Sequence, residues 1–325
     1  MASAPRYRVR AYAKINLGLN IAQRRPDGFH ELRTILQTIS LADDLVIEVR
    51  RGRGISLTVT GDAPADSSNL AWRAAALAAE SWAIRGHVAL HLTKRIPAGA
   101  GLGGGSSDAA AVLRALALTA RRPPAPAAVL ALGAQLGSDV PALVLGGTVL
   151  GLGRGEEVYT LADLAPWHCV LAMPRGGAGK AISTPEAYAR WDLHHPGLTP
   201  LAASATIMRF CSLVQQVLPA FRAPLTVTRN REFPSGGSKV HAGIENDFQP
   251  EVFSLSPDFP RIHRQLQRAS AAWVSLTGSG AAQFGLFAEA GRAAQAAARL
   301  AVRDRSWHAR FVPRSQFLRG VSVVS

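Results

Sequence analysis

The chain has 325 residues, 48% hydrophobic and 18% charged, which is the make-up of a folded soluble protein with room for one large or two moderate cores. No apolar run reaches 18 residues, which excludes a spanning helix, and residues 1–8 lack the apolar segment of an export signal, so a cytoplasmic setting is expected. The formal charge of +14 admits anionic small substrates, anionic lipid or nucleic acid, but the basic residues are scattered, with no block of five and no RNA-reading aromatic motif.

From Arg8 to Ile21 the sequence alternates. Val9, Ala11, Ala13, Ile15, Leu17, Leu19 and Ile21 share one face of a strand, and Arg10, Tyr12, Lys14, Asn16 and Asn20 share the other. Lys14 and Asn16 are either the edge of a site or part of a solvated face. Arg24-Arg-Pro-Asp-Gly28 signals a turn, followed by Phe29-His30-Glu31-Leu32 and two strand-like runs at 34–41 and 44–50. A loop at 61–68 and a helix from Leu70 to about Trp82 come next, then an alternating run from Val88 to Lys94 with Val88, Leu90 and Leu92 on one face.

Residues 96–111 read Ile-Pro-Ala-Gly-Ala-Gly-Leu-Gly-Gly-Gly-Ser-Ser-Asp-Ala-Ala-Ala and lead into an Ala/Leu run ending near Leu118. Glycines let a backbone curl tightly against a ligand, and Ser106, Ser107 and Asp108 are helix-capping types. A strand, a glycine loop and a helix in this order aim N–H groups and a helix dipole at one point, which suits a phosphate chain. Gly99-Ala-Gly101-Leu-Gly-Gly104 matches the dinucleotide pattern formally, but no acidic residue follows at about 20 positions to take a ribose hydroxyl. A Walker loop would need a Lys before the serines. The second glycine stretch, Gly176-Gly-Ala-Gly179-Lys180, has Pro174 where the first Walker glycine belongs and Ala181 where Ser or Thr belongs.

A helix over 125–136 ends at Gly137, ahead of Ser138-Asp139-Val140-Pro141. A residue before proline is pushed towards extended geometry, so Asp139 is expected at a helix-to-strand corner with a strand from Leu143. Residues 162–168 read as a linker, 169–173 as a strand, and 228–247 as a mobile loop. The tail reads strand (272–276), glycine turn (Thr277-Gly278-Ser279-Gly280), strand (283–287), helix (289–302) and strand (307–312), an α+β pattern with helices over an antiparallel sheet. Cys169 and Cys211 have no metal-spaced partners and are expected as buried small hydrophobes of a reducing compartment.

The segment Pro97-x-x-x-Gly101-Leu102-Gly103-x-x-Ser106-Ser107 resembles the phosphate loop of the GHMP kinases, which phosphorylate small molecules with ATP and Mg²⁺. The resemblance sharpens when Ala13-Lys14-Ile15-Asn16-Leu17, Arg25-Pro-Asp27-Gly28-Phe29-His30-Glu31-Leu32, the glycine loop and Leu136-Gly137-Ser138-Asp139-Val140-Pro141 are read together. It implies an α+β, two-domain GHMP kinase fold: a ribosomal-S5-domain-2-like half over residues 1–163 and a ferredoxin-like half over 164–325. It also implies ATP-dependent phosphorylation of the 2-hydroxyl of 4-diphosphocytidyl-2-C-methyl-D-erythritol, a step of non-mevalonate isoprenoid precursor biosynthesis. Asp139 corresponds to the family's catalytic base, and Lys14 to the lysine beside it.

By the same resemblance, Pro97, Ala98, Gly99, Ala100, Gly101, Leu102, Gly103, Gly104, Gly105, Ser106 and Ser107 hold ATP, with the serines reaching phosphate or Mg²⁺. Asn16, Phe29, His30 and Tyr188 bind the substrate: Phe29 and Tyr188 as rings stacking on cytosine, His30 as the reader of its edge. No dedicated metal cluster, membrane or nucleic-acid partner is implied, and the chain is expected as a monomer or weak homodimer. The alternatives are another GHMP kinase of the homoserine kinase type, or a non-catalytic RNA- or protein-binding member. Ala142-Leu143 where the family usually has aromatics, the basic segment Arg175 to Lys180 and the loop 229–244 depart from the pattern.

Overall fold

The computed structural model describes residues 5–176, 183–195 and 246–324. The alternating run forms strand β1 (Arg6–Arg24), which turns at Gly28 into β2 (His30–Arg50). Gly28 has φ +85°, a region glycine enters without a side-chain clash. The runs 34–41 and 44–50, expected as two strands, are one. The acidic pair between them does not break the ladder, because Asp43 is buried on Lys94 and Asp44 pairs with Arg95.

Strands β3 (Gly54–Thr60), β4 (His87–Thr93), β5 (Thr148–Leu152) and β6 (Glu157–Thr160) complete most of this sheet. The order β3-β4-β2-β1 is extended past β1 by the terminal strand Val321–Val324, while β5 pairs β2 and β6 pairs β5. Only the β3–β4 pair is parallel among these ladders. Helices α1 (Leu70–Ser81), α2 (Gly104–Thr119) and α3 (Pro126–Leu136) share one core with β1, β2 and β4. The buried positions of α1 are all Ala (71, 74, 75 and 78), and those of α2 include Ala109, Ala110, Ala111 and Ala115. Small side chains let the two backbones approach closely, which holds the N-terminus of α2 firmly.

Strands β7 (His168–Met173), β8 (Trp273–Leu276), β9 (Gln283–Phe287) and β10 (Arg305–Arg310) form a second sheet, order β10-β7-β9-β8, antiparallel throughout. Its faces divide with period two. Val170 and Ala172 pack with the helices Asp258–Arg268 and Ala290–Ala301, while Cys169, Leu171 and Met173 join Ile15, Leu19, Ile35 and Ile39 of the first sheet. The largest core therefore draws on both sides of the expected 163/164 boundary. Burial pushes the Cys169 thiol up, away from the reactive thiolate. Cys211, the stretch 228–245 of the expected mobile loop, and residues 177–180 of the second glycine stretch lie outside the described residues.

Two local expectations change, and one alternative is decided. Asp139 lies between two helices, not between a helix and a strand, because residues Val140–Leu145 form α4. Pro141 sits in the first turn of α4, where its missing N–H has no partner to lose and its fixed φ favours the helix. Helix α2 begins at Gly104, so Ser106, Ser107 and Asp108 lie inside it and cap nothing; Gly103 occupies the cap at φ +69°. The polar face of β1 is not solvated around the site: Lys14, Asn16 and Asn20 are buried.

Candidate active site

The glycine loop connects β4 to α2, and its left-handed residues Gly99, Gly101 and Gly103 turn the chain so that α2 points its N-terminus into a cavity of about 400 Å³. Ser107 N–H makes the first helical bond, to Gly103 O at 2.8 Å, so the N–H groups just before it have no intrahelical acceptor. Pro97 through Ser106 line the cavity, with Asp62 to Pro64, Asn69 and Lys94 opposite. Ser107 does not join them. Its hydroxyl donates to Tyr12 O at 2.6 Å inside the fold, leaving Ser106 as the serine that faces the site.

The back of the loop rests on the second half of the chain. Thr277 Oγ1 donates to Gly101 O at 3.1 Å, and Ala282 N–H donates to Ala100 O at 3.2 Å. A Cβ on Gly101 would stand 2.0 Å from Thr277 O, and one on Gly280 would stand 2.2 Å from Gly101 N. Glycine is required on both sides of this contact because two backbones touch.

Strand β1 slips register against β2 between Tyr12 and Lys14 and again between Asn16 and Gly18. Such irregularities re-aim side chains. Here they free Lys14 N–H to donate to Leu102 O at 3.0 Å, and Asn16 N–H to donate to Thr277 Oγ1 at 3.2 Å. The Lys14 side chain, 4% exposed as a residue, reaches Asn16 Oδ1 at 2.7 Å and Asp139 Oδ2 at 3.2 Å. Asn16 Oδ1 also accepts from Gly278 N–H at 2.9 Å, and its amide donates to Thr34 Oγ1 at 2.8 Å. Asn16 is thus occupied in holding Lys14 and the glycine turn. Asp139 keeps about a third of its side chain open.

Lys14 and Asp139 border a second cavity of about 750 Å³, whose wall includes Phe29, His30 and Tyr188. Gly101, Gly103 and Ser106 line both cavities, so the two meet at the glycine loop. Phe29 is 54% exposed, with the Arg154 guanidinium 4.9 Å from its ring centre. His30 is 6% exposed and stacks on Tyr188, ring centres 4.8 Å apart and planes 10° apart. Burial, and then the nearby Asp139, hold the Tyr188 phenol protonated well above its usual range.

Sequence reading missed a buried charge cluster beside the loop. Lys94 Nζ donates to Asp43 and, at 2.7 Å, to Asp108 Oδ2. Asp43 Oδ1 also accepts the Arg95 and Ile96 N–H groups, which anchors the start of the loop. Burial works against the Lys94 charge, and the Asp43 carboxylate together with the Asp108 carboxyl oxygen holds the ammonium charged. Asp108 has one oxygen without a hydrogen bond, and burial raises it to about 8. The folded chain then carries a proton on Asp108 that the unfolded chain releases above about pH 4, so stability falls as pH rises from about 4 to 8 and levels off beyond. Asp108→Asn is expected to gain in stability on the wild type as the pH rises through that window. Urea unfolding at a series of pH values measures this, and parallel curves for the two proteins would mean Asp108 is ionised throughout.

Comparison with known proteins places the chain in a family. Residues 69–147 match the GHMP kinases N terminal domain, and residues 229–303 match the GHMP kinases C terminal domain. The chain is 41% identical over 287 residues to the 4-diphosphocytidyl-2-C-methyl-D-erythritol kinase of Solibacter usitatus, covering 88% of this chain and 83% of that protein. It is 37% identical over 290 residues to the Pelotomaculum thermopropionicum protein of the same name, covering 89% and 92%. The chain belongs to the 4-diphosphocytidyl-2-C-methyl-D-erythritol kinase family.

A crystal structure of 4-(cytidine 5'-diphospho)-2C-methyl-D-erythritol kinase superposes with a TM-score of 0.71 at 32% identity, covering 94% of this chain and 98% of that one. A homoserine kinase from Cytophaga hutchinsonii superposes at 0.70 with 17% identity, covering 100% and 98%, a likeness of fold alone. The enzyme is accordingly a kinase with the GHMP fold. Among the described residues no helix is long and apolar enough to cross a membrane.

Proposed function

We propose that this kinase transfers the γ-phosphoryl group of ATP to the 2-hydroxyl of 4-diphosphocytidyl-2-C-methyl-D-erythritol, within non-mevalonate isoprenoid precursor biosynthesis. The observation that carries the reading is the meeting of two cavities at Gly101, Gly103 and Ser106, with Lys14 and Asp139 lining the larger one. Phosphoryl transfer asks for positioning and charge stabilisation more than for covalent chemistry. The loop N–H groups hold the ATP phosphates. Asp139 takes the proton of the acceptor hydroxyl, and Lys14 orients that hydroxyl and Asp139 together. Phe29 offers an open ring face for cytosine, and the larger cavity accommodates the diphosphate and polyol beyond it.

Mg²⁺ accompanies ATP in this reading. Among the described residues no group of three or more His, Cys, Asp or Glu could hold a metal on its own. Mg²⁺ needs only one or two protein oxygens when phosphates and water fill its other positions, and Ser106 fits that requirement. Asp108 fits less well, with one oxygen buried and the other on Lys94. Bound there, Mg²⁺ would offset charge on the phosphates. A cytoplasmic location and a monomer or weak homodimer belong to the same proposal.

A coupled ADP-release assay with four acceptors tests it: 4-diphosphocytidyl-2-C-methyl-D-erythritol, homoserine, mevalonate and galactose. Turnover is expected with the first alone. Faster turnover of any other acceptor would overturn the assignment.

A further inference from the structure

Three residues of helix α5 (Thr184–His194) converge on one imidazole. Tyr188 stacks on the His30 ring, Trp191 meets it edge-on at 5.6 Å and 84°, and Asp192 Oδ1 lies 2.6 Å from His30 Nε2. Positions 188, 191 and 192 fall on one side of a helix, so a single rigid element fixes the ring's plane and one of its nitrogens. Thr184 Oγ1 in turn bonds Ser279 Oγ at 3.0 Å, tying α5 to the glycine turn behind the phosphate loop. His30 Nδ1 has no partner among the described residues, and the residue lines the larger cavity.

We propose that Asp192 is a positioning residue that sets base specificity by fixing the proton of His30. The inference rests on the reading of the larger cavity as the cytidine site. An ionised carboxylate only accepts hydrogen bonds, so Nε2 must carry the hydrogen facing it. In the neutral imidazole this leaves Nδ1 as a bare acceptor. An acceptor there pairs with the exocyclic amino group of cytosine and opposes the carbonyl that uracil carries at the same position. Without Asp192 the ring can move its proton to Nδ1, and a donor at Nδ1 suits uracil instead.

The test compares kcat/KM for the cytidine acceptor and its uridine analogue at about pH 8, above the ordinary imidazole range. A base-edge contact of this kind discriminates by about 1–3 kcal/mol, or about 5- to 150-fold. Asp192→Ala is expected to lower the cytidine-over-uridine ratio by that factor, with the KM of ATP unchanged. Asp192→Asn, whose amide oxygen still accepts, should keep most of the ratio. Phe29→Ala should weaken both analogues alike, because stacking does not read the edge.

Long-range ¹H–¹⁵N spectra of the wild type give a second readout that needs no variant, with Nε2 expected as the protonated nitrogen. A ratio unchanged in Asp192→Ala, no discrimination by the wild type, or a proton on Nδ1 would each overturn the proposal. Absence of turnover with the cytidine acceptor in the wild type would instead overturn the reading of the site itself.

Discussion

Asp139→Asn is expected to lower kcat by about 10²–10⁴-fold, the usual contribution of a general base, with the affinities for ATP and acceptor largely kept. The substitution preserves size and leaves an oxygen for Lys14 Nζ, which lies 3.2 Å from Asp139 Oδ2. What disappears is the capacity to accept the hydroxyl proton. Lys14→Ala should cost a comparable factor, because Lys14 spans Asn16 and Asp139 and is what restrains the carboxylate among the described residues, the Asp139 side chain being 35% exposed. If the two act as a unit, the double mutant will fall far short of the product of the single losses. Single-turnover kinetics decide. An Asp139→Asn enzyme retaining more than about a third of wild-type kcat, with chemistry rate-limiting, would make Asp139 an ordinary residue of a helix corner.

Gly103→Val is expected to abolish measurable ATP binding in a protein that still folds. Gly103 caps α2 at φ +69°, and a Cβ there would press on Lys14 Cγ and Cε at 3.2 Å and on Leu143 Cδ1 at 3.4 Å. Forcing a branched residue into the left-handed region costs about 1–2 kcal/mol, less than the roughly 5–15 kcal/mol that holds a domain together. The local cost is therefore met by tilting the loop, and the tilt removes N–H donors from the phosphates. Charge-assisted bonds contribute about 1.5–3 kcal/mol each, so losing two weakens ATP by about 10²–10⁴-fold. Isothermal calorimetry alongside circular dichroism separates this from unfolding. Unchanged ATP affinity would take Gly103 out of the nucleotide site.

Much of the site was legible because its parts are local in sequence. The glycine loop, the Lys14–Asn16 pair and the Asp-Gly-Phe-His turn each carry their chemistry within a few residues, and the structure gathers them around two adjoining cavities. Misreadings arose where tertiary contacts overrode local pattern. Ser107 has a capping side chain, yet its hydroxyl serves the Tyr12 carbonyl across the fold. Pro141 looks like a breaker but starts a helix. Asp43, Lys94 and Asp108 are far apart in the chain, and nothing in their spacing announces an ion cluster. Asp192 could have been found: it lies four residues after Tyr188 on a helix, one turn away on the same face.

The contact between Gly101 and the turn at Thr277–Gly280 also sets a schedule for a newly made chain. The hydrogen bond from Thr277 to Gly101 spans 176 residues. At about 5–20 residues per second of synthesis, roughly 10–35 s pass between the appearance of the phosphate loop and that of the backbone that supports it. During that interval the Leu102 carbonyl can already receive the Lys14 N–H, and Asn16 can already hold Lys14 and Thr34, but the rear of the loop lacks Thr277 and Ala282, and Asn16 Oδ1 lacks the Gly278 N–H. A nascent chain stalled before residue 277 should therefore be unable to retain ATP, however complete its first sheet, and nucleotide capture becomes a marker of the finished polypeptide.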